Sequence, residues 1–179
     1  MNPLVVVSNI VGIANDLRRC SSTSSDVTLP SPRLVRWSPR DQNRSDFGQW
    51  FGGFYGFKDD PHILHLELLA IFHGLSMAWD RGARDVECQS DSLDAVTLVN
   101  SAPPSRHMYA SLIWDIKDLL GHEWQVVVLH TLREGNVCAD FLAKFGASRD
   151  RSIVAIDHPL DEMSMLLLAD ALGVSSVRP

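Results

Sequence analysis

The fold of this chain is restricted above all by a short apolar run, residues 124–129. Three consecutive valines and a leucine follow Trp124 and Gln125. An almost unbroken run of β-branched and apolar residues is typical of a strand that is covered on both faces. We therefore expect this strand to lie inside a β-sheet, so the rest of the chain has to supply further strands and the helices that cover them.

Helix and strand patterns alternate around that run. Strand patterns precede it at residues 50–57, which read as the second half of a β-hairpin, and at residues 84–90, which have one wetter face. Helical patterns cover residues 62–81, 93–100, 107–120 and 136–145. Gly82 is placed to end the first helix, Asn136 to cap the last and Gly146 to close it. This order predicts an α/β fold with a mixed sheet.

Length and composition favour one globular domain with extensions. The chain has 179 residues, of which 45% are hydrophobic and 21% charged. No apolar run approaches the roughly 20 residues that span a bilayer, and no basic residue precedes the apolar stretch 4–14. We expect a soluble intracellular protein of the nucleus or cytoplasm, with no membrane partner and with a monomer as the simplest oligomeric state. The three cysteines are far apart and lack a C-x-x-C motif, so reduced thiols are expected.

Residue composition and charge divide the chain into three segments. Residues 1–44 are rich in serine, proline and arginine and predict a poorly ordered arm or linker, residues 45–147 form the domain, and residues 148–179 form a C-terminal extension with a short helix. Residues 1–45 carry six basic and three acidic groups, whereas residues 46–146 carry seven basic and fourteen acidic groups. An acidic domain can act on a polyanion if its carboxylates hold divalent metal ions.

Glu67 is the most informative carboxylate. It lies on the apolar stripe of the first helix, with Ile63, Leu64 and Ile71 one turn away. A buried charge there requires compensation, for example by a metal ion. The alternative is that Glu67 lies at the edge of the stripe and is solvated.

Two further carboxylates follow predicted strands. Asp91 ends the strand 84–90, where sites collect in open α/β sheets, although it could equally cap the next helix. Asp140 lies in the first turn of the last helix, where the helix dipole alone would favour a negative charge. No single carboxylate establishes a site.

Three segments together resemble a known family. They are residues 65–71 with the sequence HLELLAI, residues 90–92 with SDS, and residues 130–143 with HTLREGNVCADFLA. In order and spacing they are similar to the ribonuclease H-like domain of plant, retroelement-derived reverse-transcriptase-like proteins. The resemblance covers residues 45–147, and residues 157–173 resemble the extension of the plant members.

The resemblance implies a ribonuclease H-like mixed sheet flanked by helices. It also implies an endonuclease that hydrolyses the RNA strand of an RNA–DNA hybrid with two Mg²⁺ (or Mn²⁺) ions held by four carboxylates. By motif position, Glu67, Asp91 and Asp140 are the second, third and fourth of these. His130 matches a residue that assists proton transfer or product release, or it simply ends a strand.

The chain departs from the family at its start. The first strand, which carries an Asp-Gly pair and lies in the centre of the sheet, is missing, so the domain is predicted to be N-terminally truncated. Asp16, Asp41 and Asp46 are the candidate substitutes, and the stretch 4–14 could insert as a replacement strand. We therefore expect nucleic-acid binding with hybrid cleavage that is weak or lost. The alternative is a non-catalytic relic that binds nucleic acid weakly through its arginine-bearing arm or serves as an interaction module.

Overall fold

The structure is a computed structural model that describes residues 9–11, 50, 52–56, 62–102, 106–132, 136–149 and 153–172, with residues 9–11 and 170–172 described by their backbone alone. The strands are β1 (Asn9–Val11), β2 (Gly53–Tyr55), β3 (Asp85–Ser90), β4 (Gln125–His130) and β5 (Val154–Ile156). The helices are α1 (Ile63–Asp80), α2 (Leu93–Asn100), α3 (Ala110–Leu120), α4 (Val137–Ala147) and α5 (Ser164–Leu172), and a 3₁₀ turn, Asp161–Met163, precedes α5.

The strands form two small sheets. In the first, β1 pairs antiparallel with β3, and β3 pairs parallel with β4 in the order β1-β3-β4. In the second, β2 and β5 pair antiparallel. The combination of parallel and antiparallel pairs with flanking helices confirms the predicted mixed α/β fold of the ribonuclease H-like class.

Helix α1 begins and ends close to the predicted positions. Arg81 is its C-terminal cap, and Gly82 follows with a φ of 83°, a left-handed conformation that glycine adopts without a Cβ penalty. The amide of Ala83 then donates to the carbonyl of Ala78 at 2.9 Å. The prediction that Gly82 ends this helix is confirmed.

The larger core lies between α1, α2, α3 and one face of the β3–β4 pair. Leu68, Ile71 and Leu75 of α1 are fully buried there, at the three- and four-residue spacing of one helix face. Cys88 of β3 is buried in the same cluster, and burial raises the pKa of its thiol to about 12.

Strand β4 is less covered than its composition predicts. Val128 is buried in the larger core, but Val127 and Leu129 on the other face are 39% and 41% exposed. The prediction of a strand covered on both faces inside a sheet is therefore wrong. The physical reason is that β4 lies at one edge of the described sheet, and the helices of the larger core cover one face of it.

Details of three helices also differ from the sequence predictions. Helix α3 begins at Ala110, three residues after the predicted start. Ile63, placed on the apolar stripe of α1, is 56% exposed, because the buried face of the helix begins later, at Leu66 and Leu68. Gly146, expected to close the last helix, is buried within its final turn, and α4 ends at Ala147 with Ser148 as its cap. Glycine is a preferred helix terminator only where the chain turns, and here the turn comes later.

A second, smaller core joins α4 to the C-terminal residues. Cys138, Ala139 and Leu142 of α4 pack with Met163, which is fully buried. Strand β2, expected to continue a hairpin, pairs with β5 from the C-terminal extension. Phe54 of β2 is buried.

The N-terminal strand β1 occupies the side of β3 opposite β4. Asn9 pairs with Gln89 and Val11 with Glu87, so β1 begins beside the carboxyl end of β3 and runs away from it. A strand from the stretch 4–14 therefore does insert into the sheet. The three candidate substitute ligands, Asp16, Asp41 and Asp46, lie outside the described residues.

Candidate carboxylate site

The candidate site lies at the carboxyl end of β3, which we call the carboxylate edge: Glu67, Ser90, Asp91 and the start of α4. Glu67 extends from α1 and is half-buried, in agreement with a position at the border of the apolar stripe. The Ser90 hydroxyl donates to the Oε2 atom of Glu67 at 3.4 Å. Because Ser90 directly precedes Asp91, this contact ties the first helix to the strand end that carries the second carboxylate.

Asp91 does not cap the helix that follows it. Ser92 is the cap of α2, and its hydroxyl accepts a hydrogen bond from the amide of Ala95 at 3.3 Å. The Oδ1 atom of Asp91 instead accepts a hydrogen bond from Nδ2 of Asn136 at 3.3 Å. The alternative role as helix cap is therefore wrong for Asp91, and its carboxylate lies between the end of β3 and the start of α4.

Asp140 lies one turn further along α4. Its amide donates to the carbonyl of Asn136 at 3.0 Å, and its Oδ2 atom forms an ion pair with Nζ of Lys144 at 2.6 Å. The side chain of Lys144 is 74% exposed, so this pair is a solvated contact within one helix. The position of Asp140 in the first turn of α4 agrees with the favourable effect of the helix dipole on a negative charge.

His130 ends β4 beside the same edge. It is the register partner of Ser90 in the parallel β3–β4 pair, and its side chain is exposed. The amide of the next residue, Thr131, donates to the carbonyl of Ser90 at 3.0 Å. Both descriptions of His130 thus remain compatible with its place in the fold: it ends a strand, and it lies one strand away from the residue that precedes Asp91.

Two side-chain hydrogen bonds join the elements that carry the carboxylates: Ser90 donates to Glu67, and Asn136 donates to Asp91. Asp140 follows on α4, where its backbone amide donates to the carbonyl of Asn136. The donor set is made of carboxylate oxygens, the ligand type that Mg²⁺ and Mn²⁺ prefer, so its chemistry fits these ions. Within the described residues, however, no group of three or more His, Cys, Asp or Glu side chains is arranged to hold a metal ion. The residues are brought to one edge of the sheet without converging on a single point.

Sequence reasoning missed the roles of Ser90 and Asn136. Asn136 occupies the N-terminal cap position of α4, as predicted, but its side chain forms no capping bond and is directed to Asp91. Ser90 is 1% exposed. A signal for Ser90 was available, since it shares the face of β3 that carries Val86 and Cys88, where a hydroxyl needs a polar partner.

Comparisons with known proteins identify the family of this chain. A family model described as "Reverse transcriptase-like" matches residues 44–146. The chain belongs to this family. The reverse-transcriptase-like match includes all three candidate carboxylates and His130, and it leaves out the C-terminal residues that contribute β5 and α5.

A curated relative extends the match. The chain is 32% identical over 132 residues to a protein of Arabidopsis thaliana named "Putative ribonuclease H protein At1g65750", and the alignment covers 74% of this chain. It covers 21% of the Arabidopsis protein, so the chain corresponds to about a fifth of that relative. The family membership and this relative show a ribonuclease H-like domain of the plant reverse-transcriptase-like family. No solved structure matches the chain significantly.

The helices were also compared with the length and apolarity that a membrane span needs. Across the part of the chain that the structure describes, no helix is both long and apolar enough to cross a membrane.

Proposed function

We propose that this chain is a nucleic-acid-binding domain of the ribonuclease H type whose cleavage of RNA–DNA hybrids is weak or lost. One observation carries the proposal: at the end of β3, Ser90 contacts Glu67 of α1 and Asp91 contacts Asn136 of α4, but the described carboxylates do not form a group of three around a common point. The family pattern calls for a fourth carboxylate from a strand that this sequence lacks.

The residues that would hold Mg²⁺ or Mn²⁺ are Glu67, Asp91 and Asp140. When bound, such ions activate water and stabilise the leaving oxygen of a phosphodiester. The protein's own contribution is to orient the carboxylates, through Ser90 for Glu67 and through Asn136 for Asp91. His130, exposed at the end of β4, would exchange a proton with the departing product.

Binding of a nucleic acid is favoured by a net positive charge, whereas the domain itself is acidic. Residues 46–146 carry seven basic groups against fourteen acidic ones, whereas residues 1–45 carry six against three. We therefore assign the phosphate contacts mainly to the N-terminal arm. Such contacts release counterions and weaken steeply as salt is added.

A second candidate function has a specific observation in its favour. Strand β1 fills a place beside β3 in the antiparallel direction, so the sheet is extended by a segment that lacks the family's Asp-Gly pair. This favours a domain that is folded without a complete ligand set: a non-catalytic relic that binds nucleic acid weakly through its arm or acts as an interaction module.

Cleavage of a labelled RNA–DNA hybrid by the purified chain in Mg²⁺ and in Mn²⁺ tests the proposal, with binding to the same hybrid measured over a range of salt concentrations. Asp91→Asn should abolish any cleavage while leaving binding intact, because the arm supplies the phosphate contacts. Asp115→Asn, the same substitution at an exposed position of α3, is the matched control and should behave like the wild type.

The outcomes separate the two candidates. Weak cleavage that disappears only in Asp91→Asn supports the residual enzyme and directs attention to Asp16, Asp41 and Asp46 as substitute ligands. A folded chain that binds the hybrid in a salt-dependent way without cutting it supports the relic. A folded chain that neither binds nor cuts the hybrid at low salt contradicts the proposal as a whole.

A further inference from the structure

In the part of the chain that the structure describes, two arginines lie over aromatic rings. The guanidinium carbon of Arg84 is 4.1 Å from the ring centre of Trp79, and that of Arg149 is 4.2 Å from the ring centre of Phe145. Both distances are those of a cation–π contact. The two arginines differ in what their N–H groups do, and this difference indicates a role for one of them.

The N–H groups of Arg84 are used within its own turn. Its Nη1 atom donates to the carbonyl of Trp79 at 3.3 Å and to the carbonyl of Ala83 at 2.7 Å. These carbonyls lie at the end of α1 and just after it, so the side chain supplies donors to a helix end whose carbonyls lack partners within the helix. A structural role accounts for Arg84 completely.

Arg149 has no comparable partners. Its side chain is exposed, and within the described residues its guanidinium forms no hydrogen bond or ion pair. A guanidinium carries five N–H donors in a planar arrangement that matches the oxygens of a phosphate. The ring of Phe145 therefore holds a cation whose donors remain available to an anion from outside the described structure.

The ring under Arg149 is itself held from other directions. Tyr55 of β2 contacts Phe145 edge-on, with ring centres 5.0 Å apart, and the ring of Phe141 lies 6.2 Å away. Tyr55 and Phe141 also pack against the smaller core. A side chain that is already ordered loses less conformational freedom when it binds a ligand. The aromatic rings thus prepare Arg149 for binding.

The charge around Arg149 favours an anion. Residues 140–149 carry two basic groups and one acidic group, in contrast to the acidic excess of residues 46–146. The acidic group, Asp140, is paired with Lys144, whose side chain is 74% exposed. The last turns of α4 and the residues after them therefore form a local positive surface, which we call the α4 cationic face: Lys144, Phe145 and Arg149.

Helix α4 connects this face to the carboxylate edge. It begins beside Asp91, which accepts a hydrogen bond from Asn136, and its eleven residues span roughly 16 Å. Phosphates follow one another about every 3.4 Å of helix axis along one strand of a duplex. A strand that lies at the carboxylate edge and follows α4 reaches Arg149 within roughly five nucleotides.

We infer that Arg149, supported by Phe145, binds a phosphate of a nucleic-acid strand that lies along α4. The inference rests on the proposed function, since it takes the chain to bind nucleic acid, but it requires no metal ion. It adds a contact from the α4 cationic face to those of the N-terminal arm. It also gives the bound strand a direction, from the carboxylate edge along α4.

Binding of the full chain to a labelled RNA–DNA hybrid tests the inference, at about 50 to 200 mM salt and without divalent metal, so that the hybrid stays intact. Each phosphate contact adds about one to the slope of log affinity against log salt. Arg149→Gln should weaken binding several-fold at the lowest salt and reduce the slope by about one. Arg149→Lys keeps the charge and should keep the slope, with weaker binding because the planar donors are lost.

Arg84→Gln is the matched control, because it removes the same charge from the other arginine–aromatic pair. Its affinity and slope should equal those of the wild type even where its melting temperature falls. Phe145→Leu separates the support from the charge: it should weaken binding while the slope stays near the wild-type value. Circular dichroism and thermal melting are recorded for every variant, and Arg149→Gln should fold normally because its side chain is exposed.

Wild-type affinity and slope in Arg149→Gln would overturn the inference, because the arm would then supply the phosphate contacts by itself. An equal loss in Arg84→Gln would also overturn it, since the effect would then follow from net charge alone. A wild-type chain that does not bind the hybrid at low salt refutes the proposed function and the inference together. A wild-type chain that binds while Arg149→Gln binds equally well refutes the inference alone.

Discussion

The two hydrophobic cores of this domain differ in size and in the origin of their parts. Among the residues that the structure describes, the larger core contains twelve buried residues from α1, α2, α3, β3 and β4, which follow one another between residues 68 and 128. The smaller contains four, three from α4 and Met163 from the C-terminal extension. The carboxylate edge lies where the two meet, with Asp91 on the side of the larger core and Asn136 on that of the smaller.

The difference indicates how the site can lose its geometry. Buried apolar area is the dominant stabilising contribution in a fold, so the smaller core should open at a lower free-energy cost than the larger one. Opening of the smaller core would carry Asn136 and Asp140 away from Asp91 while Glu67 and Ser90 stay in place. The candidate site should therefore fail by separation of its halves before the domain unfolds.

The largest effect is expected in the larger core. Leu75→Ala removes a fully buried side chain from α1 and should lower the free energy of unfolding by about 2 to 5 kcal/mol. Urea denaturation followed by circular dichroism measures this change. A loss well below 1 kcal/mol would show that the larger core is not the main source of stability.

A local effect is expected in the smaller core. Met163→Ala should loosen the packing of α4 against the 3₁₀ turn, at a cost of about 2 kcal/mol. Thiol labelling reports on both cores in one sample, because Cys138 is buried in the smaller core and Cys88 in the larger. Cys20→Ser serves as the background chain.

In that background, Met163→Ala should speed the labelling of Cys138 several-fold and leave Cys88 nearly unchanged. Leu75→Ala should speed the labelling of both cysteines, since it weakens the core that the rest of the domain depends on. Equal acceleration of both thiols by Met163→Ala would mean that the two cores open as one unit.

The smallest effect concerns alkaline pH. The thiol of Cys88 has a pKa raised by burial from 9.0 to about 12, so between these values the unfolded chain loses a proton that the folded chain keeps. The contribution of this thiol to the free energy of unfolding is fully present below pH 9. It is lost as the pH rises towards 12, by at most about 1.4 kcal/mol per pH unit. Urea denaturation at pH 8 and 10 should show a drop that is smaller in Cys88→Ala, and an equal drop in both chains would contradict the assignment.

Local sequence patterns were sufficient for α2 and for the end of α1. The bounds of α2 and the end of α1 at Gly82 depend on caps and periodicity within a few residues, and both agree with the structure. The exposure of Val127 and the pairing of β2 with β5 depend on which distant strands are present, which the composition of a strand does not encode.

The candidate site shows the same division. The three candidate carboxylates follow from the family resemblance, which depends on short motifs in order and spacing, and their role as metal ligands stays a prediction. The contact of Asn136 with Asp91 spans 45 residues and replaces a local capping bond, so a rule based on neighbouring residues gave the wrong partner for its side chain. Long-range hydrogen bonds of this kind become visible only when the elements are assembled.

A central strand usually does two things: it pairs its backbone with its neighbours, and it places a side chain at one end of the sheet. The direction of β1 separates these two requirements. The backbone N–H and C=O groups along a strand edge can pair with a parallel or an antiparallel neighbour. Three residues starting at Asn9 are therefore enough to extend the sheet beside β3. A metal-binding side chain, in contrast, has to lie at the carboxyl end of β3. A segment that lacks the family's Asp-Gly pair can therefore complete the backbone pairing beside β3 without bringing a carboxylate to the carboxyl end of that strand.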